Sequence, residues 1–128
     1  MDGIHHLFEK ELTTSDVGSK MIVPKQDFDS FVQILRSSRE HIENGKYSSG
    51  NIQAGVDLSV LDFRDGEELT MTLKLKRQKT YFALQKGWSD FVESRELQSG
   101  DTVQFLWRAR DEQILIYYER THEPRGKI

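Results

Sequence analysis

Leu69-Thr70-Met71-Thr72-Leu73-Lys74-Leu75-Lys76 is the stretch on which the fold turns. Its apolar residues recur at every second position, with threonines and then lysines between them, so an extended chain here has one buried face and one polar, increasingly basic face. That is the pattern of a half-buried strand. Upstream, residues 56–63 are rich in β-branched and apolar residues, and the Asp65-Gly66 pair between the two runs predicts a hairpin. Downstream, Arg77 to Thr80 interrupts the alternation and residues 81–84 resume it, which places residues 76–80 at a turn between strands.

Working outward, Gly87-Trp88-Ser89-Asp90 leads into a short helix, with Asp90 and Glu93 at capping-box spacing and Phe91, Val92 and Leu97 as its apolar stripe. Ser99-Gly100-Asp101 closes it. Trp88, Phe91 and Leu97 are read as core. Val103, Phe105 and Trp107 alternate, residues 110–113 read as a turn, and residues 114–118 are β-branched and aromatic, so a second hairpin is expected. At the front, residues 4–12 and 20–23 are strand candidates separated by a polar loop at 13–19, and Pro24 ends the second. Residues 30–42 carry Phe31, Ile34, Leu35 and Ile42 at helical spacing, with Ser30 and Gln33 as a capping box and Gly45 as the stop. Residues 45–55 read as a surface loop. The chain of 128 residues suits one domain with a core from about residue 7 to 118, built on an antiparallel sheet closed or nearly closed into a barrel; residues 121–128 are expected to form a flexible tail.

Composition removes several kinds of chemistry. There is no cysteine, which excludes disulfides, thiolate metal sites and a cysteine nucleophile. No apolar run is long enough to span a membrane, and the N-terminus lacks the pattern of a signal peptide. His5, His6, His41 and His122 show no metal-ligand spacing; the first two, being adjacent, are expected on opposite faces of a strand. Asp62, Asp65, Glu67 and Glu68 cluster, but they flank the predicted hairpin and are explained as a solvated turn. Glycine-rich phosphate loops and nucleophile-elbow serines are missing as well. No enzyme activity and no cofactor are therefore expected.

Charge is unevenly placed. The net charge is −3, yet residues 69–89 contain none of the 21 acids and five of the 18 cations: Lys74, Lys76, Arg77, Lys79 and Lys86. An acidic body with one basic segment can present that segment to a polyanion. The same lysines also suit an edge that avoids strand-to-strand aggregation.

Two blocks of sequence carry a resemblance. Leu7-Phe8-Glu9-Lys10, Leu12-Thr13, Ser15-Asp16-Val17-Gly18 and Ile22-Val23-Pro24-Lys25 form the first; Lys86-Gly87-Trp88-Ser89, Phe91-Val92, Leu97 and Gly100-Asp101 form the second. Together they resemble the plant B3 DNA-binding domain, from about residue 7 to 118. The resemblance implies an open seven-stranded β-barrel with short helices, a B3-type pseudobarrel that grips the major groove of double-stranded DNA with two loops, the N-arm and the C-arm. It implies a plant nuclear transcriptional regulator, with other transcriptional proteins as further partners. By position, the N-arm would be Thr14 to Lys20, offering Ser15, Ser19 and Lys20 to phosphates or base edges. In the C-arm, Arg77 would suit guanine and Gln78 adenine, Lys74, Lys76 and Lys79 phosphates, and Thr80 would complete the loop. Lys86 and Ser89 would lie near the DNA backbone. The chain departs from the better-known subfamilies in a shorter segment after Gly18, in the sequence of residues 76–80 and in a longer helical connection at 30–42, so their target sequences are not carried over. The alternative reading is a B3-fold protein-interaction module that has lost specific DNA binding.

Overall fold

A computed structural model describes residues 3–18, 20–76 and 81–121. The elements run β1 (Ile4–Glu11), β2 (Met21–Val23), α1 (Lys25–Arg36), α2 (Arg39–Asn44), α3 (Ser49–Ala54), β3 (Val56–Asp62), β4 (Glu68–Lys76), β5 (Tyr81–Leu84), α4 (Trp88–Ser94), β6 (Thr102–Arg108) and β7 (Gln113–Glu119). The strands form one sheet in the order β1-β6-β7-β3-β4-β5-β2, open between its two edge strands. Every pairing is antiparallel except β3 with β7. This is the open barrel expected from the sequence.

The alternating run behaves as its pattern demands. Met71 and Leu73 have no exposed surface, while Thr70 faces solvent. Gly66, at φ +78°, makes the β3–β4 turn. In β1 the register shifts between His6 and Phe8, so the consecutive Leu7 and Phe8 are both buried and His5 and His6 are both exposed, against the expectation of opposite faces. Phe8 stacks on Phe105 at 4.9 Å between ring centres, and Phe31 of α1 reaches the same cluster.

The helices differ from the sequence reading in three places. The helix expected over 30–42 starts earlier, at Lys25 behind Pro24, and is split at Ser37 and Ser38. The Ser38 hydroxyl accepts from the His41 N–H, so the serine caps a new helix instead of continuing the old one. Ile42, counted as an apolar helix-face residue, is consequently 72% exposed. The expected loop at 45–55 contains α3, capped by Ser48 and anchored by the single buried residue Ile52. Finally, α4 begins at Trp88 behind Gly87, with no side-chain cap from Asp90.

The carboxylate cluster also needs correction. Asp62 is wholly buried, not part of a solvated turn. Its Oδ2 accepts from Nε and Nη2 of Arg95 at 2.9 and 2.7 Å, and its Oδ1 accepts from the Arg64 N–H. Asp65 and Glu67 complete the ring around the same guanidinium at 3.1 and 2.9 Å. The cluster therefore ties the end of α4 to the β3–β4 hairpin.

Candidate nucleic-acid interface

The loop between β1 and β2 is built around one buried carboxylate. Asp16 is 1% exposed. Its Oδ2 accepts from the Thr13 N–H at 2.9 Å, and its Oδ1 accepts from the Ile22 N–H at 3.2 Å and the Lys10 ammonium at 3.1 Å. The Thr13 hydroxyl returns the bond by accepting from the Asp16 N–H. Burial pushes the Asp16 carboxyl up, but the two backbone N–H groups and the Lys10 ammonium outweigh it and hold the group below the ordinary carboxylate range.

This carboxylate closes the open seam of the sheet. Lys10 belongs to β1 and Ile22 to β2, strands with no ladder between them, and Lys10 Nζ donates to the Ile22 carbonyl at 2.6 Å. The loop is also pinned from the side: the Trp88 indole N–H donates to the Asp16 carbonyl at 2.6 Å in a buried contact. What faces outward is the tip, with Thr14, Ser15 and Gly18 exposed. Held at both ends and from behind, the tip is preorganised.

One end of the basic segment lies next to it. Pairing of Met21 with Leu84 places Lys20 beside the chain that continues through Gln85 to Lys86. That continuation runs on alongside β4, with the Gln85 N–H donating to the Thr72 carbonyl and the Thr72 N–H to the Lys86 carbonyl. Gly87 follows at φ +88°, where a Cβ would fall on the Thr70 carbonyl oxygen. Only glycine permits this approach, and it fixes where α4 begins. Ser89, exposed in the first turn of α4, then shares a surface depression of about 610 Å³ with Val17 and Gly18.

The expected site residues fall into three groups. Ser15, Lys20, Lys86 and Ser89 are brought together around the loop and the start of α4, with Ser15, Lys86 and Ser89 exposed and Lys20 half-buried. Lys74, half-buried, and Lys76 lie on β4, where Lys76 pairs with Tyr81 at the far end of the β4–β5 ladder. Ser19, Arg77, Gln78, Lys79 and Thr80 lie outside the described residues, as do residues 122–128 of the expected tail. Sequence reasoning gave Lys10 and Asp16 no role in shaping the loop. The signal was present in the Thr13-x-x-Asp16 spacing, which is that of a reciprocal side-chain and backbone cap.

The family model "B3 DNA binding domain" matches residues 8–121. The chain belongs to this family. Among curated proteins, this B3 chain is 33% identical over 104 residues to the B3 domain-containing transcription factor NGA4 of Arabidopsis thaliana, a match covering 78% of the chain and 26% of NGA4. It is 31% identical over 117 residues to an AP2/ERF and B3 domain-containing protein of Oryza sativa subsp. japonica, covering 88% of the chain and 30% of that protein. The chain thus spans less than a third of the length of these relatives. Among solved structures, its fold matches the Arabidopsis FUS3–DNA complex with a TM-score of 0.67 at 19% identity, covering 92% of this chain and 100% of that one. It matches the Arabidopsis thaliana LEC2–DNA complex with a TM-score of 0.66 at 19% identity, covering 93% and 96%. Among the described residues no group of histidines and carboxylates could hold a metal ion, and no helix is long and apolar enough to cross a membrane.

Proposed function

We propose that this B3 domain reads the major groove of duplex DNA with two arms, residues 14–20 and residues 76–80, as part of a nuclear transcriptional regulator and without enzymatic activity. The observation that carries the proposal is the β2–β5 pairing, which sets the end of a latched loop beside the acid-free segment of the chain. Phosphates would be drawn to Lys20, Lys74, Lys76, Lys79 and Lys86, while the acidic remainder turns the rest of the surface away from DNA. Ser15, Ser19, Thr80 and Ser89 would add neutral donors, and the side-chain types of Arg77 and Gln78 suit guanine and adenine edges. The names of the relatives, a transcription factor and two DNA complexes among them, point the same way.

The test is selection from a randomised duplex library at low and near-physiological salt, repeated with two variants. Arg77→Ala should relax preference at one base position, at a loss of about 1–3 kcal/mol if the contact is bidentate. Lys79→Ala should weaken all sequences alike and reduce the salt slope by about one. Binding with no enriched motif, or variants indistinguishable from the parent chain, would overturn the two-arm reading.

A further inference from the structure

The outer face of the sheet carries an apolar patch with no part in DNA reading. Along β7, Ile114, Ile116 and Tyr118 belong to the core, so alternation turns Leu115 and Tyr117 outward. Register then builds rows across the strands. Leu106 of β6 lies opposite Leu115, which lies beside Leu61 of β3. In the next row Gln104 lies opposite Tyr117, and Phe63 continues from β3 with its N–H donating to the Ile116 carbonyl at 2.9 Å.

Leu61, Phe63, Leu106, Leu115 and Tyr117 all stand outside the main core cluster, yet Leu115 has no exposed surface. Leu115 sits between its register partners Leu61 and Leu106, and Phe63 beyond them is 54% exposed. Helix α1 packs against β1 and β5 and α3 against β4, while α4 meets β7 on the core side, through Phe91 and Tyr118. A buried apolar centre with an exposed aromatic edge is the anatomy of an interface lacking its partner.

The rim specifies the partner's charge. Glu9, Glu11 and Glu119 are exposed on one side, and Glu68 lies opposite Leu61 on the other. Glu9 and Glu119 also border a shallow cleft of about 220 Å³ formed with Thr102, Gln104 and Tyr117. The arginines of this face are engaged within the domain: Arg64 lies over the rings of Tyr117 and Tyr118 at 5.3 and 4.6 Å, and Arg108 pairs with Asp111 at 2.8 Å. His6 stands 3.9 Å from Glu9. A long basic side chain can lay its methylenes along Tyr117 while its head reaches the two carboxylates.

We propose that this face docks a basic, apolar segment of a partner protein, with aliphatic side chains on Phe63 and the leucine row and a lysine or arginine between Glu9 and Glu119. The same carboxylates repel a phosphate backbone, so the surface works independently of the DNA arms.

Fluorescence anisotropy with a short labelled peptide alternating leucine with lysine tests this, against a control alternating leucine with glutamate. The domain should bind the lysine peptide and not the glutamate one. Phe63→Ser and the double variant Glu9→Lys/Glu119→Lys should each weaken binding about tenfold or more, while Glu43→Lys on α2 should leave it unchanged. All the substituted residues are exposed, and an amide proton–nitrogen spectrum verifies that each variant is folded. Absence of binding, or equal binding by every variant, overturns the proposal. Failure of the DNA selection above leaves it standing, because the peptide patch and the two arms share no residue.

Discussion

Gly87 shows how one residue type can decide the shape of a candidate interface. Its φ of +88° and the Thr70 carbonyl beneath it leave no room for a side chain, so the chain between β5 and α4 can hug β4 only if this position is glycine. Gly87→Ala should therefore destabilise the domain by about 2–4 kcal/mol, read as a fall in the urea midpoint at unchanged slope. An unchanged midpoint would mean that the 85–87 segment relaxes away from β4. The Gly-Trp pair was visible in the sequence as part of a family motif. The reason for it was not, because the clash is with a backbone group seventeen residues earlier in the chain. Asp62 was misread for a related reason: its partner Arg95 lies 33 residues away, and a local reading sees only carboxylates around a turn.

Between elements, the chief connector is Asp16, which joins β1, β2 and α4 through Lys10, Ile22 and Trp88. A strand as short as β2, Met21–Val23, gains a second line of attachment from it. Asp16→Asn keeps the size but removes the charge and turns one acceptor into a donor facing N–H groups. A stability loss of about 2 kcal/mol at neutral pH is expected, with DNA affinity falling about tenfold even where the variant is folded, as the loop loses its set shape. Since the folded carboxyl titrates below its unfolded value, its contribution is fully present above about pH 5 and disappears as pH falls through the folded value. Urea denaturation at a series of pH values should thus show the gap between parent and variant constant near neutrality and closing in acid. A gap that widens in acid would contradict the assignment. The strands were legible in the sequence because alternation is a strong, local signal. The helices were less so: Ser38 could continue or cap a helix, and only packing decides which.

For the molecule as a whole, barrel architecture was legible and strand order was not. Hairpin signals report neighbours, whereas the parallel β3–β7 pairing joins strands more than fifty residues apart and leaves no local mark. Charge distribution was legible and makes its own prediction. With five cations in the basic segment and a net charge of −3 overall, DNA binding should be strongly salt-dependent, falling about two to three orders of magnitude between 50 and 200 mM salt as measured by anisotropy. A flat salt response would mean that those cations do not meet phosphates. The latched β1–β2 loop carries one more consequence. Because its shape is set from behind by Asp16 and Trp88, the exposed Thr14 and Ser15 bear little of the folding load. On the two-arm reading proposed above, they would form an interchangeable reading head: substitutions at the tip would explore new base preferences while the domain beneath stays folded, so recognition would diversify by drift at the surface, and a designer would vary it at the same two positions.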